Sequence, residues 1–439
     1  MNWRSTLYHA GVGAIIVCVT GCSGLTQSIT PTSGSALSAG GTFQPFAKTY
    51  KIVSFSPNLP YPYAGLMQAS SGAIYGAAFG GSGCSGCELY GGVYQFASGK
   101  IRPIYTFLGA PDGQNPQAGL TEGSQGILYG TTVYGGNACA GSTTCGTVYD
   151  LVPSGSTFKE NVIYRFKGGS DGIGPVGGLY IDKTGALYGM TVFGGSTACT
   201  NGCGVVYRIT GHGKHFHESV VYSFKGAPDG ANPRGRLVAD SGGALYGTTL
   251  YGGTGTCGSN TCGTIIKLTP SGSGYAESVV HNFKGKPNDG SNSRATLLPA
   301  GKGTFYGATL SGGTYNYGTI YKLTCSKKLC KETPIHSFTG SDGAFPHDDD
   351  GLISDASGNL YGTTTNSATG YGTVFTFDPT TGQLTTLHNF AGGPSDGTTP
   401  ETAPLLINGY LYGTTFEGGS GACTLGSATG CGTLYIQKT

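Results

Sequence analysis

The sequence predicts an all-β fold: a single seven-bladed β-propeller of four-stranded antiparallel blades, its ring closed by the N-terminal strand. Three observations predict it. A Tyr-Gly pair recurs seven times, beginning at Tyr75, Tyr129, Tyr188, Tyr246, Tyr306, Tyr361 and Tyr412. The steps between copies are 54, 59, 58, 60, 55 and 51 residues, too long for a hairpin and suited to a four-stranded blade with generous loops. The two ends are complementary: Lys51-Ile52-Val53-Ser54-Phe55 reads as a fourth strand with no first three before it, and residues 405–438 hold three strands and no fourth. A ring needs these ends to complete one blade, because an open stack would leave two bare sheet edges.

Composition agrees. The 439 residues include 82 Gly but no Gly-X-Y triplet period, which excludes collagen. With 38% hydrophobic residues, 28 Tyr and 19 Phe, the chain is too apolar for disorder. Charged residues make up 10%, and the net charge is +2. No basic patch is available for nucleic acid, and no polybasic run for a membrane surface.

One unit shows the strands. Residues 178–182 form a short apolar first strand, and Lys183-Thr184-Gly185 is a turn. The second strand, 186–193, ends at Gly194-Gly195 before a loop that holds Cys199 and Cys203. Residues 204–209 are the third strand and 219–224 the fourth, joined by a polar loop. Gly opens the third strand in every unit (Gly91, Gly146, Gly204, Gly263, Gly318, Gly372, Gly432), where a close backbone approach or bend is expected. Phe recurs in the fourth (Phe107, Phe166, Phe224, Phe283, Phe338, Phe390) and is expected to pack between blades. Asp-Gly follows it, at Asp112, Asp171, Asp229, Asp289, Asp342 and Asp396: Asp to cap a turn, Gly to take positive φ.

Residues 1–21 read as an export signal: Arg4 supplies the positive start, an apolar run follows, and Val19-Thr20-Gly21 gives small residues before a cleavage point. Residues 22–45 read as a Ser/Thr/Gly-rich tether and 46–439 as the propeller. The six close cysteine pairs beyond the signal are Cys84/Cys87, Cys139/Cys145, Cys199/Cys203, Cys257/Cys262, Cys325/Cys330 and Cys423/Cys431. An even count in local pairs on an exported chain reads as disulfides. The second Cys of four pairs sits just before the Gly of the third strand, a slot that Tyr90, Tyr317 and Tyr371 fill elsewhere. The slot therefore takes half-cystine or ring, which points to stapling of loops. Redox chemistry at Cys84-Ser85-Gly86-Cys87 would want a helix N-terminus, and none is expected there.

Val19-Thr20-Gly21-Cys22 resembles the bacterial lipobox, which implies a lipid on the Cys22 thiol and anchoring on the extracytoplasmic side, at the outer membrane or cell surface. Ser23 beside it resembles outer-membrane sorting. Over about residues 49–439 the units resemble the GloVer repeat family, a tandem-repeat group of exported bacterial proteins with varied anchors. Leu128–Thr132, Gly135-Gly136, the Gly146-Thr147-Val148-Tyr149 run and Phe166 with Asp171-Gly172 carry the likeness. It implies a propeller and export, with no settled chemistry. The sixth copy departs from it, with Asn366-Ser367-Ala368-Thr369 in place of the Gly-Gly loop. The double Gly is also kelch-like, but the one Trp, Trp3, lies in the signal, whereas kelch blades use a Trp.

The strand-two-to-three loops and the Asp-Gly turns should share one face around the channel mouth. His347-Asp348-Asp349-Asp350 lies there. Three adjoining carboxylates are donors of the kind calcium takes, though a solvated acidic turn is the preferred reading and no cofactor is expected. His212, His215 and His217 read as a surface loop on the other face, and His281, His336 and His388, all two before the Phe, read as packing. No nucleophile with an adjacent base stands apart from the repeat, no Gly-x-Ser-x-Gly elbow opens a helix, and the catalytic residues are unassigned. The chain thus reads as a monomeric, lipid-anchored binding or scaffold propeller for a glycan or protein ligand, without nucleic acid. The alternatives are an extracellular enzyme on polysaccharide or cell wall with its site at the channel mouth, or a structural envelope protein.

Overall fold

Seven antiparallel blades of four strands follow one another along the chain, the fourth carrying Gly230–Pro233 as an added short strand. The computed structural model describes residues 50–439 except 85–86, 140–143, 214, 273, 327–328, 347–350 and 426–427; side chains at 82–84, 87–88, 424–425 and 428 are also outside the description. The signal, the tether, Cys22, the acidic run 347–350 and the Cys84/Cys87 side chains therefore lie outside the described residues. Blade 1 comprises Met67–Gln68, Ile74–Ala78, Gly92–Ala97 and Lys100–Thr106, and the pattern repeats to blade 6. Blade 7 takes Leu405–Ile407, Tyr410–Thr415 and Thr433–Lys438 from the C-terminal end and is completed by Tyr50–Ser54. The register runs from Tyr50 opposite Gln437 to Ser54 opposite Thr433, so the expected closure is present.

Burial follows strand position. The second strand, for example Leu187–Thr191, is buried throughout, as expected for a sheet covered on both faces by neighbouring blades. The fourth strand forms the outer edge, and Cys330–Ser337 starts with alternating exposed and half-buried residues. Each Phe of the fourth strand meets the third strand of the next blade. Phe107 stands edge-on to Tyr149 at 5.0 Å, Phe166 to Tyr207 at 5.0 Å and Phe390 to Tyr435 at 5.3 Å. Phe55 closes the circle on Tyr94 at 4.9 Å. Such pairs add about 0.5–1.5 kcal/mol each beyond the area they bury.

The repeat motifs now have physical reasons. In Tyr-Gly the Gly is a floor: the ring of Tyr149 lies on Gly130, and a Cβ there would strike it, as Tyr94 does above Gly76 and Tyr435 above Gly413. The second Thr of Leu-Tyr-Gly-Thr-Thr bonds to the Thr that follows the third-strand Gly, as in Thr132–Thr147 at 2.7 Å and Thr249–Thr264 at 2.8 Å. The Asp of Asp-Gly caps its turn as expected: Asp112 accepts the Leu108 N–H at 2.9 Å, and Asp229 the Lys225 N–H at 2.9 Å. The Gly beside it needs a correction. Only Gly172 and Gly343 have positive φ among the six; Gly113, Gly230, Gly290 and Gly397 do not. They are Gly because a Cβ would hit the Thr just described, Thr132 in the case of Gly113.

A second correction concerns the histidines of blade 3. They do not lie in a loop: they belong to the paired strands Val205–His212 and His215–Ser223, with His212 opposite His215 and His217 opposite Thr210. All three are exposed on this hairpin. Their polarity resembles that of a loop, but an outer strand with one wet face tolerates polar residues.

Among the described residues five disulfides are formed, at Cys139–Cys145, Cys199–Cys203, Cys257–Cys262, Cys325–Cys330 and Cys423–Cys431. They are the mark of an oxidising, extracytoplasmic setting. By chain entropy each contributes about 2 kcal/mol, because the loops they close are short. The shared slot is visible. The sulfurs of Cys257 and Cys262 cover Gly285, while the rings of Tyr90, Tyr317 and Tyr371 cover Gly109, Gly340 and Gly392 at the same place in their blades.

Candidate functional site

Two loop sets meet on one face. The turn leaving each fourth strand pairs with the loop after the second strand of the next blade: Gly113–Gln114 with Tyr134–Gly135, Gly290–Ser291 with Ser311–Gly312, and Gly397–Thr398 with Glu417–Gly418. Blade 6 keeps the link through a bridge between Ala344 and Asn366 despite its missing Gly-Gly. These ladders and four of the disulfides fix the face. Toward the axis the segments that lead into the first strands abut: Gly177 and Gly235 have no room for a side chain, because the backbone of Arg234 and of Arg294 in the next blade stands in the way. Arg234, Arg236, Arg294 and Glu401 are half-buried in these inner segments. Farther out, blades 5 and 6 carry a ring in the cysteine slot, and their loops expose Tyr315, Tyr317 and Tyr371 at 58%, 37% and 42%.

A second kind of site lies at the blade junctions. In blade 1, Tyr105 Oη donates to Asp112 Oδ2 at 3.0 Å and faces Glu160 Oε2, from the fourth strand of blade 2, at 3.4 Å. The arrangement recurs as Tyr164–Asp171–Glu218 and Tyr222–Asp229–Glu277. One hydroxyl hydrogen cannot serve two carboxylates. Burial, then the nearby Asp, pushes Glu160, Glu218 and Glu277 up to about 7 each. Around Glu160 stand Tyr105, Asp112, Asp150 and Arg165; around Glu218, Tyr164, Asp171 and Lys167; around Glu277, Tyr222, Asp229 and Lys225.

These groups give a pH dependence. An unfolded Glu titrates near pH 4.3, so a folded value near 7 favours the folded state below that range and loses this contribution as pH rises through 7. Asp342 and Asp396, lowered by hydrogen bonds that outweigh their burial, act oppositely and lose their contribution only in acid. The Tm is therefore expected to fall by a few degrees between pH 5 and pH 8.5. The triple variant E160Q/E218Q/E277Q is expected to flatten that slope. An equal slope in the variant would remove these carboxyls as its cause.

His281, His336 and His388 take the Tyr position at the next three junctions. They pack edge-on to Phe283, Phe338 and Phe390, which agrees with the packing role, and they also face Asp289, Asp342 and Asp396 at 3.2, 3.0 and 3.1 Å. The third partner differs at each. At the fourth junction it is Glu332, 3.6 Å from His281. At the fifth, the strand of blade 6 has Leu384 where blade 5 has Glu332. At the sixth it is Tyr50 of the closing strand, which donates to Asp396 and stacks on His388. Sequence reasoning missed these clusters, although their signal was present: Glu160, Glu218, Glu277 and Glu332 all stand six before the Phe.

Fold and loops together define a propeller of capped, stapled blades with one reinforced face. The chain belongs to the Gloeobacter/Verrucomicrobia repeat family, whose pattern matches residues 28–259 and 197–435. No curated protein matches it by sequence. Among solved structures it is similar to a presumed 6-phosphogluconolactonase from Bacteroides uniformis, at 15% identity and TM-score 0.51, over 78% of this chain and 88% of that one. It also aligns with a protein of unknown function from Dyadobacter fermentans, at 11% identity and TM-score 0.44, over 89% and 98% of the two chains. At such identity the first likeness speaks to fold alone.

Proposed function

We propose that the protein is exported, anchored by lipid at Cys22, and works as a non-enzymatic binding module whose reinforced face takes a neutral glycan. The observation that supports this reading is the group of exposed rings, Tyr315, Tyr317 and Tyr371, on two adjacent blades of that face. A tyrosine ring offers an apolar plane for a sugar face and a hydroxyl for its edge. A rigid face loses little entropy on binding, which suits a module that holds its ligand without changing it. The low charge of the chain fits an uncharged ligand.

A glycan array probed with the full chain tests the reading. Binding without turnover is expected, with at least a tenfold loss in Tyr315→Ala, whose ring is 58% exposed and lies outside the slot that Tyr371 fills over Gly392; an unchanged Tm in the variant separates lost binding from lost folding. Release of products from a polysaccharide panel would replace it by the enzymatic reading. Silence on both, with a protein captured from the envelope, would replace it by the structural one. For the anchor, Cys22→Ala is expected to move the protein from the membrane fraction to the soluble one; retention in the membrane would overturn lipidation there.

A further inference from the structure

We propose that the junction of blades 4 and 5 binds one divalent transition-metal cation through His281, Asp289 and Glu332. The three come from different elements. His281 lies on Gly274–Asn282, the outer strand of blade 4; Asp289 caps the turn that follows; Glu332 lies on Cys330–Ser337, the outer strand of blade 5. One donor atom from each falls within 4.8 Å of the other two.

The distances suit a shared ion. His281 Nε2 is 3.2 Å from Asp289 Oδ2 and 3.6 Å from Glu332 Oε2. Ligands at about 2.0–2.1 Å from a tetrahedral zinc stand about 3.3 Å apart, so the two spacings bracket that edge. The donor set, an imidazole with two carboxylates, is of the type that first-row transition ions take.

A second observation points to a ligand. The Glu332 side chain is only 3% exposed, and its Oε1 has no hydrogen-bond partner. Its Oε2 meets the histidine beyond hydrogen-bond range. In blades 1 to 3 the corresponding glutamate also has an Oε1 without a partner, but there a tyrosine hydroxyl that donates to the Asp stands beside its Oε2. The fourth junction keeps both carboxylates and exchanges that hydroxyl for an imidazole nitrogen. Among the described residues this combination occurs once. Asp289 accepts the N–H groups of Lys284 and Gly290, which orients it and leaves lone pairs for a cation. A cation there joins two blades through their outer strands, where the backbone ladders do not reach.

Zinc is the probe. The full chain, produced without a polyhistidine tag and stripped with chelator, is titrated with zinc chloride by calorimetry and its bound metal measured. One equivalent per chain is expected, with micromolar or tighter affinity and a higher Tm. His281→Tyr rebuilds the cluster of the first three blades, so it is expected to fold as the parent does and to lose the bound zinc. Glu332→Gln is expected to weaken binding at least tenfold, and His336→Tyr to leave it unchanged. The proposal falls if the parent binds no stoichiometric zinc. It also falls if folded His281→Tyr binds as the parent does.

Discussion

Replacing Gly130 by alanine is expected to destabilise the protein by about 3 kcal/mol, a large effect for one methyl group. Gly130 does not have positive φ, so the backbone accepts alanine without strain. The cost is steric: the new Cβ meets the Tyr149 ring, which is fully buried and held from the other side by Phe107. That ring cannot swing away without opening the seam between blades 1 and 2. The cause can be isolated by a double-mutant cycle in urea. Tyr149→Leu alone loses the edge-on contact with Phe107 and is expected to destabilise. In combination with Gly130→Ala it should cost less than the sum, because the obstruction has gone. Strict additivity would mean that Gly130 is needed for some other reason.

The ring was legible because its units repeat: a period near sixty residues, a Gly at every third strand and two complementary ends leave few other folds. The loop staples were legible through the exchange of Cys203 or Cys262 for Tyr90, Tyr317 and Tyr371. The junction clusters were harder. His281 and Glu332 are distant in sequence and belong to different blades, so neither is remarkable within its own unit. Tyr105 and His281 differ in chemistry, which hid their shared place beside the Asp-Gly turn. A local turn rule holds for Gly172 and Gly343 but not for Gly113, Gly230, Gly290 and Gly397, where contact with a distant Thr decides. The exposed loop tyrosines resemble packing residues until solvent exposure separates Tyr315 from Tyr321, which is fully buried.

Loss of the closing strand is expected to have the largest effect of all. Tyr50–Ser54 supplies the outer edge of blade 7, and Phe55, 2% exposed, fills the seam against Tyr94 of blade 1. Tyr50 adds its bond to Asp396 and its stack on His388, so this one segment touches three blades. Without it, blade 7 presents an unpaired strand and both sides of the seam lie open, a surface that pairs with other chains. Hydrogen exchange through Thr433–Lys438, in chains starting at residue 23 with and without residues 50–56, measures this closure directly. The account predicts slow exchange in the first chain, and in the second rapid exchange there, self-association and a Tm lower by more than 10 °C. Equal protection and an equal Tm in a monomeric shortened chain would contradict it.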